Sequence, residues 1–341
     1  MKKYYDVIRF ALKCILIPAA AIFVLFCLNK PYKAINDLNY LDVYKFNSLG
    51  IQYTNIQIGN LGSSHGAYNF DYTPLTERGI SCFNFANASQ SYDYDYAILK
   101  EYGQYMAPGS VMFIPVSYFS FNNEVTNDTE AEAMSVRYYH CLSPKNIPDY
   151  DPFIDLITNR LPILSAGEDI LKLFPNLQLS LKVLAAEAET DPEAPAAETE
   201  PDSEALASVP EVDVGVFAAR AQDRYSRHFD NKEEYFMPER IEELYSIIGY
   251  CKEHDIIPVL ITTPFSKYYR DLVPEEFLQK FEETVTTIAN DTSVSYYDYS
   301  YDARFRGSLV YFMDPDHLNP MGTTYFMQIL MEEITELQKF L

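Results

Sequence analysis

Compact apolar runs bounded by turn residues alternate with stretches of helical spacing along most of the chain. Residues 55–61, 80–85, 110–116, 256–262 and 294–297 are short runs rich in Ile, Val, Phe, Leu and Tyr, the pattern of strands covered on both faces. Residues 92–106, 238–254, 274–290 and 320–341 read as helices, the first ended by Pro108 and Gly109. Such alternation predicts a three-layer α/β/α domain, a parallel sheet with helices on both faces. Pro-, Ala- and Glu-rich sequence interrupts this rhythm between the third and fourth strands. There, residues 119–235 form an insertion with helical pieces at 152–160 and 166–183. Within it, 185–213 is an acidic tract lacking aromatic residues, Lys and Arg, a composition expected to stay disordered because it buries too little apolar surface.

The first 33 residues follow a different pattern. Lys2, Lys3, Arg9 and Lys13 precede an uncharged apolar run at 14–28. A bilayer span needs roughly 17–25 residues, so the expected span is 7–28, with Arg9 and Lys13 snorkelling to the interface. The basic flank predicts a single-pass anchor with its N-terminus cytoplasmic and the rest of the chain extracytoplasmic. A cleaved signal peptide is the alternative, but the bulky residues 26–30 offer no small-x-small cleavage site. The expected organisation is therefore an anchor at 1–33, a partly helical connector at 34–50 and one domain at 51–341.

Composition narrows the function. A chain of 341 residues, 48% hydrophobic and 22% charged, can bury a full core. Its formal net charge of -23 and lack of a basic patch exclude nucleic acid as the expected partner. Five cysteines are too few for a disulfide scaffold, and Cys82 and Cys251 read as buried thiols. No Cys/His cluster has zinc spacing and no Gly-rich phosphate loop follows a strand, so neither a metal nor another cofactor is implied. Tyrosine, present 29 times with no tryptophan, suits sugar faces but also ordinary surface and core.

Two stretches carry candidate chemistry. Gly62-Ser63-Ser64-His65 falls on the turn after the first strand, at the sheet edge where open α/β proteins bind ligands. Asp314 stands three residues before His317 on a Pro-containing loop that leads into the last helix. A serine hydroxyl becomes nucleophilic when a base takes its proton, and the base works best when a carboxylate fixes its tautomer. Ser64, His317 and Asp314 fit those roles. Alternatively, Ser63 and Ser64 cap a following helix. His65 is a rival base and Asp316 a rival for the orienting role, with spacing favouring Asp314.

The two stretches resemble the first and last blocks of the SGNH (GDSL-type) hydrolase superfamily. The nearest likeness is to membrane-anchored members that modify envelope polymers, such as D-alanine transfer and alginate O-acetyltransferase-like proteins. The resemblance implies an SGNH-hydrolase, flavodoxin-like fold, with Ser64 as nucleophile, His317 as base and Asp314 as its partner. It also implies an acyl group, of the O-acetyl kind, on a cell-surface polysaccharide or other envelope polymer, and a multi-spanning membrane O-acyltransferase as partner. Family members add a glycine amide and an asparagine side chain to the oxyanion hole. Here the second block reads Asn84-Phe-Ala-Asn-Ala-Ser-Gln90, without glycine, and the third begins at Ser117 instead of Asn. The Ser64 amide, Asn87, Ala88 and Ser89 are the candidate donors. His65, Ser117, Lys267, Tyr268 and Asn319 are candidate substrate contacts. Two classes stay open: a serine acyltransferase or esterase, and a non-catalytic envelope protein that keeps the fold and binds glycan or a partner.

Overall fold

The computed structural model describes residues 2–122, 135–173, 213–230 and 234–341. Contacts divide them into two units. The first comprises residues 2–44, 135–140 and 149–173, and the second comprises 45–122, 141–148, 213–230 and 234–341. The candidate residues all lie in the second.

Five parallel strands form the second unit's sheet: β1 (Ile56–Asn60), β2 (Cys82–Asn84), β3 (Met106–Pro115), β4 (Ile256–Thr262) and β5 (Ser295–Asp298). Their order is β2-β1-β3-β4-β5. The chain therefore reverses its direction of winding between β1 and β3, the crevice where doubly wound sheets bind ligands. Register places Ile58 beside Val111 and Phe113 beside Val259. These side chains share one face and pack on the last helix through Phe326, Met327 and Leu330. Period-2 alternation turns Met112, Ile114 and Leu260 to the other face, where they too are buried. Burial on both faces explains the unbroken apolar runs.

The long helices are α1 (Lys2–Asn36), α3 (Tyr92–Tyr102), α4 (Val214–Phe229), α5 (Pro238–Glu253), α6 (Glu275–Thr292) and α7 (Pro320–Glu333); α2 (Ser64–Tyr68) is a short turn after β1. In α6, buried Leu278, Phe281, Val285 and Ile288 recur at helical spacing, Glu275 and Glu276 favour its N-terminus, and Ser293 ends it in the left-handed region at φ 50°. Helices α3, α5 and α6 form one layer, with α5 on β4 and α6 on β5.

Several boundaries differ from the sequence reading. The helix expected over 92–106 ends at Tyr102, and β3 begins at Met106, so Pro108 and Gly109 lie inside the strand. A register irregularity between Ile56 and Ile58, and Gly109 at φ +71°, accommodate them. The last helix stops at Glu333 instead of continuing to the end. Insertion 119–235 contains α4, which was not anticipated. The acidic stretch 185–212 and the second half of the helical piece expected at 166–183 lie outside the described residues, while Gly167–Lys172 is a 3-10 turn.

In the first unit, α1 is long and apolar enough to cross a membrane, with residues from Ile8 to Phe26 widely exposed. Past its apolar part, the Asn29 amide donates to the Arg160 carbonyl at 3.0 Å, and Lys33 bonds Asp37 and Asn159. Tyr32 packs there against Ile163, Ala166 and Leu173. The connector expected at 34–50 is three short helical turns following the end of α1.

Two predictions follow from this packing. A Cβ on Gly66 would sit 2.2 Å from the Leu61 carbonyl oxygen, so Gly66→Ala must push α2 off the sheet edge. Urea denaturation should show a loss of about 2–3 kcal/mol, and an unchanged midpoint would refute the tight apposition. Burial pushes the Cys82 and Cys251 thiols up to about 12. Both stay protonated at neutral pH, so iodoacetamide should modify them at pH 8 only after unfolding, unlike exposed Cys14 and Cys27; labelling of Cys82 or Cys251 in the native protein, read by peptide mass mapping, would contradict their burial.

Candidate active site

The turn after β1 is held from several sides. Gly62 adopts φ +111° and its amide donates to the buried carboxylate of Asp95 at 2.8 Å. The Gly66 carbonyl in α2 accepts from the Asn60 and Asn84 side-chain amides at 2.9 and 3.0 Å. These bonds pin α2 across the carboxyl end of β1. Ser63 occupies its N-cap position, but its side chain makes no capping hydrogen bond. Ser64 is half-buried, and among the described residues its hydroxyl has no hydrogen-bond partner.

The C-terminal loop is folded around Asp314. Its Oδ1 accepts from the Asp316 and His317 amides at 3.1 and 2.9 Å, while the His317 ring Nδ1 lies 2.9 Å from both of its oxygens. Because a carboxylate only accepts, Nδ1 carries a proton, and the tautomer this fixes has its lone pair at Nε2. That Nε2 is buried without a hydrogen-bond partner. The ring packs edge-on against His65 at 5.2 Å and Tyr68 at 5.5 Å between centroids. On an α-helix, positions 64 and 68 are about 40° apart around the axis. Ser64 begins this helix, one turn before Tyr68.

Behind this pair lies a second group, sealed at its centre by the burial of His65 and Asp316. His65 is fully buried, its Nδ1 2.6 Å from the Ser117 hydroxyl at the end of β3 and its Nε2 3.5 Å from Asp316 Oδ2. Arg224 from α4 reaches both carboxylates, with Nη2 3.1 Å from Asp314 Oδ2 and Nε 2.9 Å from Asp316 Oδ1. His228, one turn further along α4, is 2.6 Å from the Tyr269 hydroxyl and stacks near Phe119. Burial would raise Asp316, but His65 beside it, followed by the nearby His317 and His228, holds its carboxyl well below the usual range. Burial also pushes His65 down, and His228 down to about 3. Since both histidines are then neutral near pH 7, we assign the lasting counter-charge of Asp316 to Arg224.

The other sequence candidates have varied places. Asn87 is buried, with its side-chain amide donating to Gln90 at 3.0 Å, so that amide is directed inward. Ala88 is half-buried and Ser89 is exposed at φ 57°. Ser117 and His65 are bonded to each other below the surface, which places them behind the site instead of at a substrate-contacting rim. Asn319 caps α7: its Oδ1 accepts from Gly322 at 2.9 Å and its amide donates to Val310 at 2.6 Å, a structural role for a residue expected to meet substrate. Lys267 is exposed over the Tyr268 ring, and Tyr268 packs on Phe217.

Sequence reasoning missed Arg224, His228 and Asn69, and read Tyr269 with Lys267 and Tyr268 as lining a groove, whereas it is fully buried against His228. One signal was available for the first two: Phe217, Ala221, Arg224 and His228 recur at i, i+4, i+7 and i+11 on α4, with Phe217 and Ala221 buried. Compared with known families and curated proteins, the chain matches no family model and no curated protein.

The buried titratable groups make stability depend on pH. The folded His228 binds its proton only near pH 3, whereas an unfolded histidine does so near 6.5. The unfolded chain thus takes up more protons between those values, and stability falls as pH drops through that window by up to about 1.4 kcal/mol per pH unit. His65 acts in the same direction. Asp316 adds stability above the ordinary carboxylate range that is lost at lower pH. Urea midpoints should fall from pH 7 to pH 4, less steeply in His228→Gln; a flat wild-type profile would contradict neutral burial.

Proposed function

We propose that the protein is a membrane-anchored serine acyltransferase or esterase acting on an acyl group, of the O-acetyl kind, of a cell-surface glycan or other envelope polymer. The observation that carries this reading is His317, with Nδ1 held by Asp314, a buried Nε2 without a hydrogen-bond partner, and its ring packed on His65 and Tyr68 of α2, the short helix that begins at Ser64. The resemblance of Gly62-Ser63-Ser64-His65 and Asp314-x-x-His317 to SGNH-type blocks supports the same assignment.

In this reaction the Ser64 hydroxyl gives its proton to His317 Nε2 as its oxygen attacks the acyl carbonyl. The tetrahedral intermediate collapses, the leaving alkoxide takes that proton, and acyl-Ser64 remains. A glycan hydroxyl or water then repeats the sequence in reverse roles, and the acceptor's proton returns to Ser64 through His317. The Ser64 amide lies in the first turn of α2, where N–H groups lack an intrahelical acceptor, and would face the developing oxyanion. Catalytic hydrogen bonds often tighten only with substrate bound, which accommodates the absence of a Ser64–His317 bond in the free protein. The apolar helix α1 would hold the domain at the membrane through residues 7–28, N-terminus cytoplasmic, within reach of a multi-spanning O-acyltransferase.

One observation favours the non-catalytic alternative. The Asn87 amide bonds Gln90 and the Ser117 hydroxyl bonds His65, so neither side chain is directed to an oxyanion in this state. A fluorophosphonate probe separates the readings. It should attach to Ser64 in wild type, fail with Ser64→Ala, and react roughly 10³–10⁴-fold more slowly with Asp314→Asn. Equal labelling of wild type and Ser64→Ala, or none in wild type, would defeat the enzymatic reading.

A further inference from the structure

Asp314 and Asp316 stand two residues apart on one loop and both face His317. Asp314 is 2.9 Å from the ring Nδ1, and Asp316 Oδ1 is 3.7 Å from it. A single N–H therefore has two carboxylates within reach, and the choice sets the direction of Nε2. Two anions this close also repel one another unless a cation lies between them. Arg224 makes that link, 3.1 Å from Asp314 and 2.9 Å from Asp316, on a half-buried side chain carried by a helix in the long β3–β4 connection.

We infer that Arg224 is a positioning residue that selects Asp314 over Asp316 as the partner of His317. By donating to Asp314 Oδ2 and pairing ionically with Asp316 Oδ1, the guanidinium holds Asp316 on the His65 side and leaves Asp314 on Nδ1, which fixes the ring that packs on α2. The planar fork suits two acceptors at once, which the point charge of a lysine does not. The inference rests on the acyl-transfer reading where it concerns Ser64, but its statement about His317 stands without it.

A divalent ion is the rival cation. His65, Asp316 and His317 bring ligand-type atoms within 4.8 Å of one another, a spacing an ion could bridge. The guanidinium already supplies positive charge 2.9 Å from Asp316, while the Nε2 atoms of both histidines have no hydrogen-bond partner, so removal of divalent ions is one arm of the test.

The test uses the full chain in detergent and two readouts. The first is the rate of Ser64 labelling by a fluorophosphonate. Arg224→Ala should slow it about 10–100-fold, the size typical of losing a group that orients a functional histidine. Guanidinium ion at a non-denaturing concentration should restore part of the rate, and Arg224→Lys should restore less. Adding Asp316→Asn to Arg224→Ala should also raise the rate, because the competing carboxylate is gone; a merely structural arginine would make the double variant worse. The second readout is the downfield proton resonance of His317 Nδ1–H, assigned by its loss in His317→Gln. It should be lost or shifted in Arg224→Ala and return with guanidinium, whether or not Ser64 reacts.

Wild-type labelling with an unchanged rate in Arg224→Ala would overturn the inference, as would a loss that neither guanidinium nor Asp316→Asn repairs. Labelling abolished by EDTA and restored by Zn²⁺ would make the metal the operative cation and equally overturn it. If wild type does not label yet the resonance follows Arg224, positioning is supported and the acyl-transfer reading falls.

Discussion

The candidate site depends on one buried amide. Asn69, fully buried just past α2, donates to the Thr263 hydroxyl at 2.8 Å and accepts from the Leu318 backbone amide at 2.9 Å. It thereby joins the turn after β1 to the loop after β4 and to the loop that carries Asp314 and His317. The last of these partners is 249 positions away along the chain. A buried amide deprived of its partners costs about 1–3 kcal/mol per group, so each element is held in register by the other two. The packing of His317 on His65 and Tyr68 follows from that junction.

Around it the protein keeps an unusual amount of polarity inside. His65 and Asp316 are fully buried, His317 nearly so, and all belong to one connected group with Ser117, Asp314 and Arg224. Apolar side chains of similar size would often give equal or greater stability than such a network, while removing a single partner is strongly destabilising. The cluster is thus costly to keep half-built. Its outer limb, Asp314 with His317, has the arrangement of an oriented base; its inner limb, Asp316 with His65, has no solvent access and holds the outer limb in place.

The central strands were legible because they are apolar runs buried on both faces, and the alternation of strands with helical patterns specified a parallel sheet; β5, half-exposed, was read from the short run that holds its Tyr pair. Boundaries were less legible where turn residues have other uses. Pro108 and Gly109 resemble a helix stop but lie in β3, where a register irregularity and a left-handed glycine absorb them. The pairing of Asp314 with His317 could be suggested from spacing, since a separation of three residues on a loop before a helix is a local feature. Arg224 could not be found that way, because its partners are 90 residues or more distant and its helix lies in a segment whose surroundings look like an insertion. Asn319 shows the converse: a polar residue beside the histidine reads as a substrate contact, yet the start of a helix claims it as a cap.

The most direct measurement is an experimental structure of the full chain after reaction with a phosphonate probe. The account predicts a phosphonyl group on Ser64 Oγ, with His317 Nε2 within about 2.6–3.2 Å of that oxygen and Nδ1 still on Asp314. A probe bound elsewhere, or a His317 ring whose Nε2 is turned away from α2, would contradict it.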